Sequence, residues 1–132
     1  MAHFIVEYSS NIAADAEIRA LLRKATAVMM TQGSVFPIGG LRARAMEIAD
    51  YCIADGAGDY AFVHITVKMG HGRDAATKQQ AGDALFDMVK SHFAPLCERR
   101  LIGLSMELYE FPPPGTWKHG NLHEHLRKNA TI

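Results

Sequence analysis

The sequence predicts an α+β fold in which a four-stranded sheet carries two helices on one face. Two segments, His3 to Tyr8 and Tyr60 to Met69, place apolar residues at every second position. Successive side chains of a strand point to opposite faces, so this period of two predicts β-structure. Each segment precedes a stretch with helical spacing and then another short strand. We therefore expect two tandem βαβ units, 3–48 and 60–111, and a tail, 112–132.

The first unit combines an amphipathic helix with a second strand. Its helix is expected from about Asp15 to Gln32, where apolar residues recur at offsets of three and four. Leu41 to Ile48 is the predicted strand, and within it Arg42 and Arg44 lie two apart and share one face. The apolar helix positions are Ile18, Leu21, Leu22, Ala25, Val28 and Met29.

The second unit repeats this order. Asp74 is a suitable N-cap for its helix, and Pro95 is expected to end or kink that helix. Leu104 to Phe111 is the predicted fourth strand, and one helical turn is expected in the tail near Asn121 to Arg127. The stripe that this helix would bury consists of Ala81, Leu85, Met88, Val89 and His92.

Chain length limits how the sheet can be covered. A chain of 132 residues, 48% hydrophobic, suffices for a single domain over 1–132 but not for two ordinary ones. Helices between parallel strands lie on one face of the sheet, and little chain remains to cover the other. The sequence therefore predicts an oligomer.

Overall charge argues against two classes of partner. Fourteen basic and 14 acidic residues cancel, so nucleic acid and anionic membrane are not expected partners. No apolar run approaches the roughly 20 residues of a membrane span, and the N-terminal residues lack the features of a secretory signal. We expect a cytoplasmic protein.

The two cysteines support the same compartment. Cys52 and Cys97 have no metal or redox spacing, so reduced thiols are the favoured interpretation. A cysteine nucleophile is the alternative, although no surrounding motif favours it.

Several sequence blocks, in order and in nearly constant spacing, carry a family resemblance from His3 to about Glu110. They are 3–7, 36–37, 40–44, 59–68, 70, 72–73, 79–82 and 92–93. In these blocks the chain closely resembles the 5-carboxymethyl-2-hydroxymuconate isomerases of the tautomerase superfamily. The tail after Pro112 resembles that family only weakly.

This resemblance implies an activity and an assembly. Such proteins are homotrimers of subunits with two βαβ units. They isomerise an unsaturated dicarboxylate or tricarboxylate in the breakdown of homoprotocatechuate, an aromatic acid. No metal or organic cofactor takes part, so none is expected here. An N-terminal proline serves as the base, and arginines bind the carboxylates of the substrate.

Ala2 stands where that family has its proline. A free α-amine ionises near pH 7.7–8.0, and burial or nearby cations lower its pKa toward the value that suits a proton shuttle. If Met1 is removed, Ala2 offers a primary amine at this place. If Met1 stays, the nitrogen of Ala2 is an amide and cannot be the base. A third interpretation is that alanine replaced proline during cloning.

Arginines are the predicted substrate ligands because a guanidinium donates two hydrogen bonds to a carboxylate. Arg73, in a glycine-rich loop at the end of a strand, is expected to bind substrate. By spacing alone, charges on an exposed sheet face are the favoured explanation of Arg42 and Arg44, because most arginines are exposed. The resemblance favours a binding role for Arg42 and leaves Arg44 open between binding and an exposed charge.

Other candidates carry weaker signals. His3 is predicted to shape the surroundings of the base, whereas His64 is predicted to be a packing or interface residue. Phe36 and Phe62 are pocket candidates, with core packing as the alternative. His123 and His125 lie two apart and do not share a helix face. His119 and His123 have helical spacing, but Gly120 and Asn121 disfavour a helix there, so no metal is predicted.

Two further functions stay open. One is a non-catalytic trimer that binds small carboxylates through the arginine pocket, because Ala2 replaces the proline. The other is a different reaction of the same superfamily, such as decarboxylation or hydration. Turnover of a panel of unsaturated carboxylates distinguishes all three.

Overall fold

The computed structural model of the protein describes residues 1–130. This part of the chain contains four strands, three helices and three short 3-10 turns. In chain order, the strands and helices are β1 (Ala2–Ser9), α1 (Ile18–Met30), β2 (Leu41–Ile48), β3 (Tyr60–Met69), α2 (Ala75–Cys97), β4 (Leu101–Glu110) and α3 (Leu122–Ala130). The 3-10 turns are Ser10–Ile12, Gly33–Val35 and Ile38–Gly40.

The strands form one mixed sheet in the order β2-β1-β3-β4. β1 pairs in parallel with β2, β3 pairs in parallel with β4, and the two central strands β1 and β3 are antiparallel. Each parallel pair is joined through a helix, as parallel pairing requires. The predicted fold class, a four-stranded α+β sheet with two main helices, is confirmed.

The core lies between α1, α2 and one face of the sheet. Alternate residues of the two central strands, such as Phe4, Val6 and Ile65, are fully buried. They belong to the same apolar cluster as Leu21 of α1 and Leu85 of α2. Burial of this cluster excludes apolar surface from water and holds the first residues of β1 in place.

Several predicted boundaries differ from the structure. α2 starts after Asp74, whose carboxylate accepts a hydrogen bond from the backbone N–H of Thr77 at 2.8 Å, as an N-cap does. Of the two alternatives predicted for Pro95, a helix end or a kink, the first is wrong, because α2 continues to Cys97. Pro95 lacks an N–H and so removes one helical hydrogen bond, and the buried Leu96 keeps the last turn packed.

Three other boundaries are corrected. α1 begins three residues later than Asp15, because Glu17 has a left-handed backbone (φ 50°) that a helix does not continue. β4 begins at Leu101 rather than Leu104, because the parallel pairing with β3 starts there. The expected single turn in the tail is the longer helix α3, which packs on the Ile38–Gly40 turn.

The second face of the sheet stays partly exposed in the single chain. Met46 and Tyr109 on it are 47% and 49% exposed. A hydrogen-bonded row also crosses it: His64 contacts Ser105 at 2.7 Å and Glu107 at 3.0 Å. The face therefore mixes apolar and polar side chains, as partly wet interfaces do.

The sequence predicts reduced cysteines and no membrane span. Cys52 and Cys97 are both free and exposed. No helix within residues 1–130 is long and apolar enough to cross a membrane.

Candidate active site

Two adjoining cavities open at the N-terminal end of β1, and we call them together the amine pocket. The larger, about 320 Å³, is lined by Met1, Arg42 and Lys118 together with Gly39, Gly40, His119, Gly120, Leu122 and His123. The smaller, about 160 Å³, shares Met1 and Lys118 and adds Gly70, His71, Phe111, Pro112, Pro113 and Thr116. Met1, which carries the α-amine of the chain, thus lines both cavities.

Two glycines allow the chain to come this close together. A Cβ atom on Gly40 would lie 2.6 Å from the Cα and 2.7 Å from the nitrogen of Met1. A Cβ atom on Gly39 would lie 2.7 Å from Nδ1 of His123 in α3. The Ile38–Gly40 turn therefore supports the N-terminus on one side and the C-terminal helix on the other.

The surroundings of the Met1 amine favour its neutral form. The pKa of this amine is lowered from the usual 8.0, first by burial and then by the positive charges of Lys118, Arg42 and Arg73. Burial disfavours a charged group, and neighbouring cations repel an ammonium. At a given pH a larger fraction of this amine is therefore neutral and able to accept a proton.

Ala2 itself is 1% exposed and pairs with Leu41 across the parallel ladder. Its nitrogen belongs to the Met1–Ala2 peptide bond in this structure, so the free amine is that of Met1. Removal of Met1 would place the free amine at the start of β1, next to the same turn.

His3 and Arg44 form a direct pair on the partly exposed sheet face. Nη1 of Arg44 lies 2.9 Å from Nδ1 of His3. A guanidinium can only donate, so Nδ1 accepts and the proton of the neutral imidazole is on Nε2. Burial, and then the charges of Arg44, Arg42 and Lys68, lower the pKa of His3 from 6.5. The edge of Phe111 packs on the same ring at 5.7 Å.

This pair predicts an acid-sensitive contribution to stability. The unfolded chain protonates His3 near pH 6.5 and the folded chain at a lower pH. Between these two values the unfolded state binds more protons, so stability falls as pH falls below 6.5. We expect His3→Gln to lose less stability than wild type between pH 7.5 and pH 5.5, measured by urea unfolding. His125→Gln, at an exposed position of α3, is the control and should keep the wild-type loss.

Arg73 lines neither cavity of the amine pocket, but its charge is close enough to lower the pKa of the Met1 amine, and its side chain is tied to two loops. Its Nη2 donates to the carbonyls of Ser34 and Val35, both at 3.1 Å, and its Nη1 donates to the carbonyl of His71 at 3.3 Å. These bonds join the loop after β3 to the loop after α1.

The aromatic candidates lie elsewhere. Phe36 is 1% exposed and belongs to the apolar core. Phe62 lies near the far end of β3 from the amine pocket and packs edge-on against Tyr51 at 6.4 Å. The structure therefore brings Arg42, Arg73 and the amine together, and places Arg44 and His3 beside them on the sheet face.

Sequence reasoning missed the C-terminal part of the pocket. Lys118, His119 and His123 come from the tail, where no strong pattern marks them. The three consecutive prolines at 112–114 were the available signal, since they direct the chain away from β4. Within residues 1–130 no group of three His, Cys, Asp or Glu side chains is arranged to hold a metal ion.

Comparison with known proteins identifies the family of this chain. The sequence model of the 5-carboxymethyl-2-hydroxymuconate isomerase family matches residues 2–126. The 5-carboxymethyl-2-hydroxymuconate Delta-isomerase of Escherichia coli is 43% identical over 123 residues, which are 93% of this chain and 97% of that protein. The match extends into α3, beyond the resemblance noted near Glu110.

Solved structures show the same fold. The 5-carboxymethyl-2-hydroxymuconate isomerase from Deinococcus radiodurans R1 superposes with a TM-score of 0.91 at 38% identity, covering 96% of this chain and 94% of that one. A fused 4-OT wild type symmetric trimer superposes at 0.61 with 18% identity, covering 89% and 93%, and shows the fold alone.

Fold, pocket and relatives together define an isomerase of the tautomerase type. The chain belongs to the 5-carboxymethyl-2-hydroxymuconate isomerase family.

Proposed function

We propose that the protein is a 5-carboxymethyl-2-hydroxymuconate Delta-isomerase that acts in the catabolism of homoprotocatechuate. One observation carries this proposal: the α-amine of the chain, with a lowered pKa, lies in a pocket beside Arg42 and Lys118. A neutral amine can take a proton, and the cations suit the carboxylates of such a substrate. The name of the 43% identical relative supports the choice of substrate.

The proposed reaction is a proton transfer without a cofactor. The neutral amine accepts a proton from the hydroxyl group or a carbon of the conjugated substrate, and the resulting ammonium returns it to another carbon. No atom is gained or lost. Arg42 holds a carboxylate and stabilises the negative charge that spreads over the conjugated system during transfer. Arg44 acts indirectly: burial first, and then the charge of Arg44, lowers the pKa of His3 and favours its neutral form near the pocket.

We also propose that the single-domain chains assemble as a homotrimer through the partly exposed sheet face. Tyr109 and Met46 leave apolar surface on that face in the single chain. The polar row of His64, Ser105 and Glu107 suits a mixed interface.

Isomerisation of 5-carboxymethyl-2-hydroxymuconate, followed by ultraviolet absorbance, tests the proposal. We expect kcat/KM to fall on the acid side with a midpoint below 8.0, because the pKa of the amine is lowered from that value and only the neutral amine is a base. Below that midpoint the amine is protonated and activity is lost. The N-terminal residue of the sample is defined by mass spectrometry.

Two outcomes would contradict the proposal. A rate with no acid limb, or with a midpoint at or above 8.0, would remove the amine as the base. Binding of the substrate without turnover would instead support the non-catalytic carboxylate-binding trimer.

A further inference from the structure

The hydrogen bonds of Arg73 leave it little capacity to bind a carboxylate. Its Nη2 carries two hydrogens, and these point to the carbonyls of Ser34 and Val35. Either forked approach of a carboxylate to a guanidinium uses an Nη2 hydrogen, so it would require Arg73 to release one of these carbonyls. A Cβ atom on Gly70 would lie 2.7 Å from Nη1, which shows how closely the loop encloses the guanidinium. Arg73 therefore positions the two loops.

Lys118, unlike Arg73, is available to bind a carboxylate. It lines both cavities of the amine pocket, and among residues 1–130 its ammonium has neither a hydrogen-bond acceptor nor an ion-pair partner. After burial, its charge has the largest effect on the pKa of the Met1 amine, ahead of Arg42 and Arg73. An unpaired lysine beside the amine can bind a carboxylate without breaking an existing contact.

Contacts on both sides of Lys118 in the sequence fix the position of this part of the tail. On one side, the hydroxyl of Thr116 donates to the carbonyl of Pro112 at 2.9 Å and closes the turn after β4. On the other side, α3 packs on Gly39 through His123. The segment between these contacts is short, so Lys118 cannot move far from the N-terminus.

We propose that Lys118, rather than Arg73, is the second carboxylate-binding cation of the pocket, paired with Arg42 for ligands that carry two carboxylates. Arg42 lines only the larger cavity, whereas Lys118 also lines the smaller one. A dicarboxylate that extends past the amine would place one carboxylate on each cation. The assignment rests on the proposed function for the reaction but is tested by binding alone.

Two six-carbon conjugated acids form a matched pair of probes. trans,trans-Muconate has a carboxylate at each end, and sorbate has the same diene with one carboxylate. Neither has a hydroxyl group to tautomerise, so calorimetric binding is independent of turnover. The variants are Lys118→Met, which removes the charge at similar length, and Lys118→Arg, which restores a cation. Lys90→Met, at an exposed position on α2, is the control.

We expect wild type to bind muconate more tightly than sorbate. Lys118→Met should weaken muconate binding about tenfold and change sorbate binding less than about twofold, because one charged contact is lost. Lys118→Arg should recover most of the muconate affinity, and Lys90→Met should match wild type. Arg73→Met should mainly lower the melting temperature.

Three results would overturn the assignment: equal weakening of both probes by Lys118→Met, no weakening of either, or a wild-type chain without preference for muconate. If these binding results are as expected but no isomerisation is detected, the proposed reaction fails while the role of Lys118 stands.

Discussion

Blocking the α-amine is expected to lower kcat/KM for isomerisation by about 10²–10⁴-fold, the contribution typical of a positioned general base. Conversely, a chain that begins with proline at position 2 should be more active than one that begins with Ala2. The ring of proline restricts rotation around its nitrogen, so its lone pair points in a more constant direction than that of a primary amine. The buried start of β1 holds that nitrogen beside Leu41 in either case.

Chains with defined first residues test directly whether the N-terminal amine is the base. Cleavage of an N-terminal fusion can supply chains that begin at Met1, at Ala2 or at proline in an Ala2→Pro variant. An Ala2→Pro chain that retains Met1 is the matched control, because its proline nitrogen is an amide and has no lone pair to accept a proton. Light scattering measures the molar mass of each sample, so that rates are compared only between samples of the same oligomeric state. Similar rates for free and acetylated amines would show that another group is the base.

The strands were predictable because each has a simple alternation of side chains. β2 and β3 were predicted with the boundaries that the structure has, Leu41–Ile48 and Tyr60–Met69. β4 was predicted three residues short, since its first residues pair with β3 but carry a weak pattern of their own. Pro95 was misleading because propensity rules describe helix interiors, and this proline is near a helix end that is packed on the core.

The site was predictable only in part. Arg42 was predicted through the family resemblance, and it lines the larger cavity. The nitrogen predicted as the base was that of Ala2, whereas the residue that lines this cavity is Met1. Lys118 was missed because its position depends on α3 packing against the Ile38–Gly40 turn, about 80 residues earlier in sequence. Such a contact leaves no local pattern. The hydrogen bonds of Arg73 to the backbone carbonyls of Ser34 and Val35 have no sequence signature either.

The contacts across the partly exposed sheet face could not be predicted from the sequence either. The sequence indicates that one face lacks a cover, because two helices can cover only the other. It does not indicate that the hydrogen bonds of His64 with Ser105 and Glu107 cross that face. Those contacts join residues about 40 positions apart and depend on the register of β3 and β4.

The second large effect is expected from Gly40→Ala in the chain that retains Met1. The added Cβ would lie 2.6 Å from the Cα of Met1, which is backbone and cannot rotate away. The amine must therefore move by a fraction of an ångström to an ångström. A misplacement of this size costs about 100-fold in rate when geometry governs the reaction. In the chain that begins at Ala2 the clashing atoms are gone, so the loss should be much smaller.

The comparison of Gly40→Ala in the two chains identifies which amine works. Steady-state kinetics are measured for both, with Gly82→Ala as the control, because a Cβ there has nothing within 4 Å and alanine is favoured over glycine in a helix. A large loss confined to the Met1 chain would show that the terminal amine needs the space beside Gly40. Equal losses in both chains would show that the substrate occupies that space, and the close approach of Met1 to Gly40 would then be unrelated to catalysis.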